Sequence, residues 1–242
     1  LSFLHIEKSE IDLPDDGATA EEVFAMARRN LQSFLDNGVL FREDKPCYYV
    51  YRQDMGGHVQ WGIVAAASVR EYETGRIKRH EYTREDKEQE RIAHVDAVNA
   101  HTGPVFLTYR QDSTIDSLVD RFVQQSPEYD FTSEDGVSHT VWTVNGEGDI
   151  RDVSAAFLKV DALYIADGHH RFETARAFMR ECGAKGWKPK SPQSFTALPV
   201  TLVNVEEPGC VIRPTPRVVH SLPAFSPQAF LKEAGREFAV AP

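Results

Sequence analysis

A mixed α/β fold, a sheet with flanking helices, is predicted by three features of this 242-residue chain. Hairpin signals dominate the part before residue 100. Strand-like and helix-like runs alternate after it. No internal repeat or low-complexity stretch breaks either half. The chain reads as one α/β domain over 1–242 or as a fragment of a longer chain, with a possible internal division near residue 100. The missing initiator Met and the abrupt end after AVAP favour a fragment.

The elements follow in order. Thr19 and Glu22 form a capping-box pattern, and Val23, Ala27, Leu31 and Phe34 then recur at helical spacing up to Gly38. CYYVYRQ and HVQWGIVAAASV read as strands joined through Asp54-Met55-Gly56-Gly57, where glycine tolerates the positive φ of a tight hairpin. Thr83 is placed to cap a charged helix, with Glu85 and Asp86 in its first turn. GPVFLTYRQ is a strand, STIDSLVDRFVQQ a helix, VSHTVWTVN a strand, GDIRDVSAAFLKV a helix and DALYIA a strand. The helix after that strand is expected to stop at Gly183, and FTALPVTLVNV is a buried strand. The loop between them carries Lys185, Lys188 and Lys190 and reads either as a solvated loop or as a lid over an anion.

Composition excludes several classes of function. With 41% hydrophobic and 26% charged residues the chain can bury a core unaided. A net charge of −10 opposes nucleic-acid or membrane-surface binding, and no apolar run is long enough to span a bilayer. Cys47, Cys182 and Cys210 are odd in number and far apart, as in a cytoplasmic protein with reduced thiols. Trp61, Trp142, Tyr48 and Tyr49 read as core or half-buried strand residues. The phosphate loop GxxxxGK[ST] and a nucleophile elbow are both missing.

LYIADGHHRFETARAFM is the stretch with chemical content. A strand stops at Asp167-Gly168, and His169, His170 and Arg171 open a helix whose N-terminal N–H groups attract anions. Gly168 permits close approach of a ligand to the backbone, Arg171 can grip phosphate with paired hydrogen bonds, and the histidines can donate to its oxygens. Asp167 can hold the turn or a Mg²⁺ ion that accompanies phosphate. A plain capped helix, or a metal held by His169 or His170 with Glu173, are the alternatives.

The second constellation is HEYTREDKEQERIAH. As a helix it gathers Lys87, Arg91, His94 and Val98 on one narrow stripe just after His80-Glu81. It is no HExxH protease site, because Arg84 stands four residues after His80. The competing reading is a solvated helix with i,i+4 ion pairs. NAHTGPVF then turns toward a strand, and Asn99 or Thr102 could reach the site.

ADGHHRFETA, together with SFLHIEKSEIDLP, YYVYRQDMGGHVQWGIVAAASV, KRHEYTREDKEQERIAHVDAVNAHTGPVFLTY and LPVTLVNVEEPG, resembles the domain-of-unknown-function family 1015. In RPTPRVV, Pro216 stands where many members have a histidine, while Arg217 is kept. DGHHR also resembles the phosphate-binding motif of serine kinases on the ParB/sulfiredoxin-like fold. There it holds nucleotide phosphates, and the Glu of an upstream His-Glu pair is the base. That resemblance implies a ParB/sulfiredoxin-like mixed sheet and a kinase of free serine or a similar hydroxylated metabolite. It implies ATP or ADP as donor, Mg²⁺ as cofactor, and Glu81 as base with His80 beside it. Asp167 to Arg171 would hold phosphate, while Lys87, Arg91, His94 or Arg217 would neutralise charge. Two other classes stay open: a metal-dependent hydrolase using His80, Glu81, His169 and Glu173, and a non-catalytic nucleotide sensor.

Overall fold

The computed structural model describes residues 2–14, 17–190, 194–213, 220 and 223–239, except for the side chains of Asp86 and Lys87. It divides into two units, Leu1–Cys210 and Val211–Pro242. The second contains helix α8 (Pro227–Ala234), capped by the Ser226 hydroxyl, which accepts from the Ala229 N–H. Phe225 and Phe230 pack against each other there, with ring centroids 5.9 Å apart.

The first unit is built on one eight-stranded mixed sheet with strand order β3-β7-β4-β8-β2-β1-β6-β5. The strands are β1 (Tyr48–Met55), β2 (His58–Ser68), β3 (Ile77–Lys78), β4 (Val105–Tyr109), β5 (Tyr129–Thr132), β6 (Ser138–Val144), β7 (Leu163–Asp167) and β8 (Ala197–Asn204). Strands from both sides of residue 100 are interleaved in this one sheet. Among the described residues no helix is long and apolar enough to cross a membrane.

β1 and β2 form the expected hairpin, with Met55 opposite His58 and Gly56 and Gly57 at φ 63° and 92°. The sheet centre is covered on both faces, since successive residues Leu107, Thr108 and Tyr109 of β4 are all buried. β6 instead buries alternate residues, and edge strand β5 is exposed throughout. The core joins Val105, Leu107, Val200 and Leu202 of the sheet with Ile115, Leu118 and Phe122 of α5 (Ser113–Phe122), Val153 and Ala156 of α6 (Glu147–Leu158), and Phe172 and Ala175 of α7 (His169–Ala184).

Helix α1 (Leu4–Glu7) packs on α2 (Ala20–Asp36), α2 on α4 (Glu85–Val98), and α4 on α7, while α3 (Val69–Glu73) lies against the same α7. The Thr19–Glu22 capping box is formed. Two local expectations are corrected. Arg84, not Thr83, is the N-cap of α4, because the Thr83 hydroxyl bonds the Glu88 carboxylate instead. α7 runs through Gly183 to Ala184, and Gly186 at φ 71° supplies the left-handed residue that follows it.

Candidate active site at the β7–α7 junction

The sheet explains why residues far apart in sequence meet. β3 runs parallel to β7, with Ile77 opposite Leu163 and Lys78 opposite Tyr164. Both strands therefore deliver their following residues, His80-Glu81 and Gly168-His169, to the same end of the sheet. β4 is antiparallel to β7, with Phe106 opposite Asp167, so its start and the preceding 99–104 segment lie at that end as well. β8 is parallel to β4, with Val105 opposite Val200, and brings the end of the 185–196 segment to the same place.

At the junction Gly168 has φ 98° and serves as N-cap of α7. A Cβ there would lie 3.2 Å from both Val105 methyl groups and 3.3 Å from the Arg171 guanidinium carbon, so both backbone and space call for glycine. No side chain caps the helix, and its first turn holds no acidic residue. The Arg171 N–H turns back to the Gly168 carbonyl, so among the described residues the His169 and His170 N–H groups and the partial positive charge are left for other acceptors.

The five junction residues take different tasks. Asp167 is exposed and accepts from Arg171 Nη2 at 2.9 Å; Arg171 Nη1 also donates to the Pro104 carbonyl. Arg171 is thus held in place by two of its five donors. His169 is buried, and its Nδ1 lies 3.1 Å from Glu81 Oε1. Its Nε2 accepts from the His80 backbone N–H at 3.4 Å, which places the imidazole proton at Nδ1, facing the carboxylate. Burial lowers the His169 pKa below its ordinary value of 6.5, and Glu81 only partly offsets this. His80 packs edge-on against the His169 ring, with centroids 4.4 Å apart. The His170 Nδ1 is buried without a hydrogen-bond partner among the described residues.

His80, Glu81 and His169 each offer one ligand atom, all within 4.8 Å of one another, an arrangement able to hold a metal ion. Glu173 does not join them. It is buried, accepts from Tyr72 Oη at 2.5 Å and from Arg79 at 2.7 Å, and pairs with Arg176 at 2.6 Å. Burial first, and Glu173 second, push the Tyr72 hydroxyl up to about 12.

The charged stripe of α4 is only partly as expected. Val98 is buried and Arg91 is exposed, while His94 contacts the Ile6 carbonyl at 3.1 Å and packs edge-on to Phe24. Arg91 and His94 line a small cavity of about 30 Å³ together with Arg171, His101, Thr102 and Thr174. The Thr174 hydroxyl is buried and has no hydrogen-bond partner among the described residues. Lys87 lies on α4 with its side chain outside the described residues, and Pro216 and Arg217 also lie outside them. His101 and Thr174 had no signal of their own in the sequence. Thr102 did, through the turn it occupies, and its hydroxyl donates to Glu7.

Fold and site together define a mixed α/β protein with a His-Glu pair set against an uncapped, glycine-started helix. The family described as "Protein of unknown function (DUF1015)" matches residues 1–242, and the chain belongs to it. No curated protein and no solved structure matches the chain.

Proposed function

We propose that this chain is a small-molecule phosphotransferase, a kinase that moves a phosphoryl group from ATP or ADP to a hydroxylated metabolite, with free serine the leading acceptor. The observation that carries the reading is the placement of Glu81 3.1 Å from His169 at the open N-terminus of α7. A base and an anion seat are then neighbours, as transfer to a hydroxyl requires.

In this scheme His169 stays neutral and donates its Nδ1 proton toward one Glu81 oxygen, which orients the carboxylate. The other oxygen takes the acceptor's hydroxyl proton as that hydroxyl oxygen bonds to the terminal phosphorus. The bond from phosphorus to the bridging oxygen breaks, and the shortened nucleotide leaves with that electron pair. The α7 N–H groups, Arg171 and Arg91 stabilise charge on the moving group. Asp167 suits a Mg²⁺–nucleotide, because it is an exposed hard carboxylate with one oxygen turned to Arg171 and one left over. Such an ion would neutralise phosphate charge.

The test is a screen of amino acids and small alcohols for phosphorylation by ATP and by ADP, read by phosphorus NMR. Glu81→Gln is expected to slow transfer by about 10²- to 10⁴-fold with nucleotide affinity nearly unchanged. Failure of every acceptor with both donors, or a wild-type rate in Glu81→Gln, would overturn the reading.

A metal-dependent hydrolase is the second reading, favoured by the convergence of His80, Glu81 and His169. It predicts stoichiometric transition metal in the purified protein and loss of that metal in Glu81→Gln. Glu173 is not available as its fourth ligand, because Tyr72, Arg79 and Arg176 occupy it.

A further inference from the structure

A cleft of about 750 Å³ opens beside the junction. α4 ends at Asn99, whose left-handed conformation (φ 54°) turns the chain toward β4. On the other side the chain leaving α7 returns to β8. Because β4 and β8 are parallel neighbours, these two connections reach the same end of the sheet and bound the cleft between them.

Its lining has two chemical components. Trp187, Phe178 and Phe195 supply aromatic surface, and Trp187 is 54% exposed. Arg42, Lys188 and Lys190 supply positive charge, and among the described residues no carboxylate pairs with any of them. Among the described residues no Asp or Glu lines the cleft, although the chain as a whole carries a net charge of −10. Lys185 is different: it pairs with Glu181 at 2.7 Å and sits over the Trp187 ring. Uncompensated cations beside open aromatic surface match a ligand that is flat and apolar at one end and polyanionic at the other. The volume suits a small molecule.

The cleft also adjoins the site. Val95 and His101 line both it and the small cavity that holds Arg91, Arg171 and Thr174. An anionic tail passing His101 would find the Thr174 hydroxyl, Arg91 and Arg171 there, with the one carboxylate of that lining, Glu7, already accepting from Thr102.

We propose that this cleft seats the nucleotide, with its base against Trp187 and its phosphates among Arg42, Lys188 and Lys190, leading past His101 to Arg171. The proposal rests on the phosphotransferase reading for its choice of ligand. It assigns the Lys-rich connection to nucleotide binding, leaving acceptor activation to Glu81.

The experiment is a titration of the full chain followed by tryptophan fluorescence, with calorimetry in parallel, using ATP, ADP, adenosine and inorganic tripolyphosphate. ATP or ADP should quench Trp187 and saturate, with adenosine and tripolyphosphate each binding at least about 10-fold more weakly, since each uses one half of the cleft. Lys188→Ala with Lys190→Ala should weaken ATP about 10- to 100-fold, as expected for losing charge-assisted contacts. Trp187→Leu should weaken ATP and adenosine while leaving tripolyphosphate unchanged. Unchanged ATP affinity in both variants, with Arg171→Ala still weakening it, would overturn the cleft and leave the kinase reading standing. Cleft-dependent ATP binding with no transfer to any acceptor would instead sink the kinase reading and keep the cleft.

Discussion

Glu173 and Thr174 are neighbours on α7, yet the two sides of the helix they serve are opposites. Toward α3 and β3, Glu173 is enclosed by Tyr72, Arg79 and Arg176, and its charge and hydrogen bonds are met within the protein. Toward α4, the Thr174 hydroxyl is equally buried but has no partner among the described residues, in a cavity shared with Arg91, His101 and Arg171. Arginines alone therefore do not mark a ligand site. Glu173 is structural, because three donors within the protein already occupy its oxygens. A cavity with unmet polar groups has something left to bind.

The largest expected effect is on the saturated side. Glu173→Gln keeps the shape but removes the charge that Arg79 and Arg176 face, and should cost roughly 3 kcal/mol of stability, measured by urea unfolding. A loss below about 0.5 kcal/mol would show that water already screens this cluster and would erase the contrast.

Arg171→Ala should act on the open side. It should weaken ATP about 10- to 100-fold, as for a lost charged hydrogen bond, and move stability by less than about 1 kcal/mol, since its partner Asp167 is exposed. A stability loss as large as that of Glu173→Gln, with affinity intact, would make Arg171 a structural residue too.

Acid should tell the sides apart as well. His101 and His169 are held below 6.5 by burial, so the unfolded chain takes up protons there that the folded chain declines. Stability is then complete above 6.5 and falls as pH drops below it, by at most about 1.4 kcal/mol per pH unit for each histidine. Urea midpoints between pH 7.5 and 5.5 test this, and His101→Asn should flatten the slope. A midpoint independent of pH would mean that neither imidazole is shielded from water.

The smallest effect has the opposite sign from the first. Thr174→Val exchanges an unpartnered buried hydroxyl for a methyl group of similar size, and should leave the free protein unchanged or up to about 1 kcal/mol more stable. Destabilisation would show that the hydroxyl has a partner after all. With saturating ATP the gain should disappear if a phosphate oxygen is that partner.

Much of the molecule could be read from residue order. The capping box of α2, the Gly56-Gly57 hairpin and the alternation of strand and helix after residue 100 depend on neighbours within a few positions; the first two are formed, and the third is broken only by the unexpected β5 ahead of β6. Gly183 was misleading because a glycine near a helix end is tolerated inside the helix at about 1 kcal/mol, and Gly186 was equally placed to end it. β3 was invisible for a different reason. Two residues in a basic stretch have no strand period of their own, and they become a strand only by pairing with β7.

The candidate site divides the same way. By itself the sequence determined which side chains could do chemistry: the DGHHR junction is a local strand-to-helix turn whose glycine, histidines and arginine can be recognised in place, and His80-Glu81 is a pair of adjacent residues. The tertiary structure alone decided which of them meet. Parallel pairing of β3 with β7 set Glu81 against His169 across more than eighty residues, and packing of both α4 and α3 on α7 gave Thr174 and Glu173 different surroundings. Whether a buried charge is already neutralised depends on groups brought in from distant strands and helices, and no local pattern carries that information.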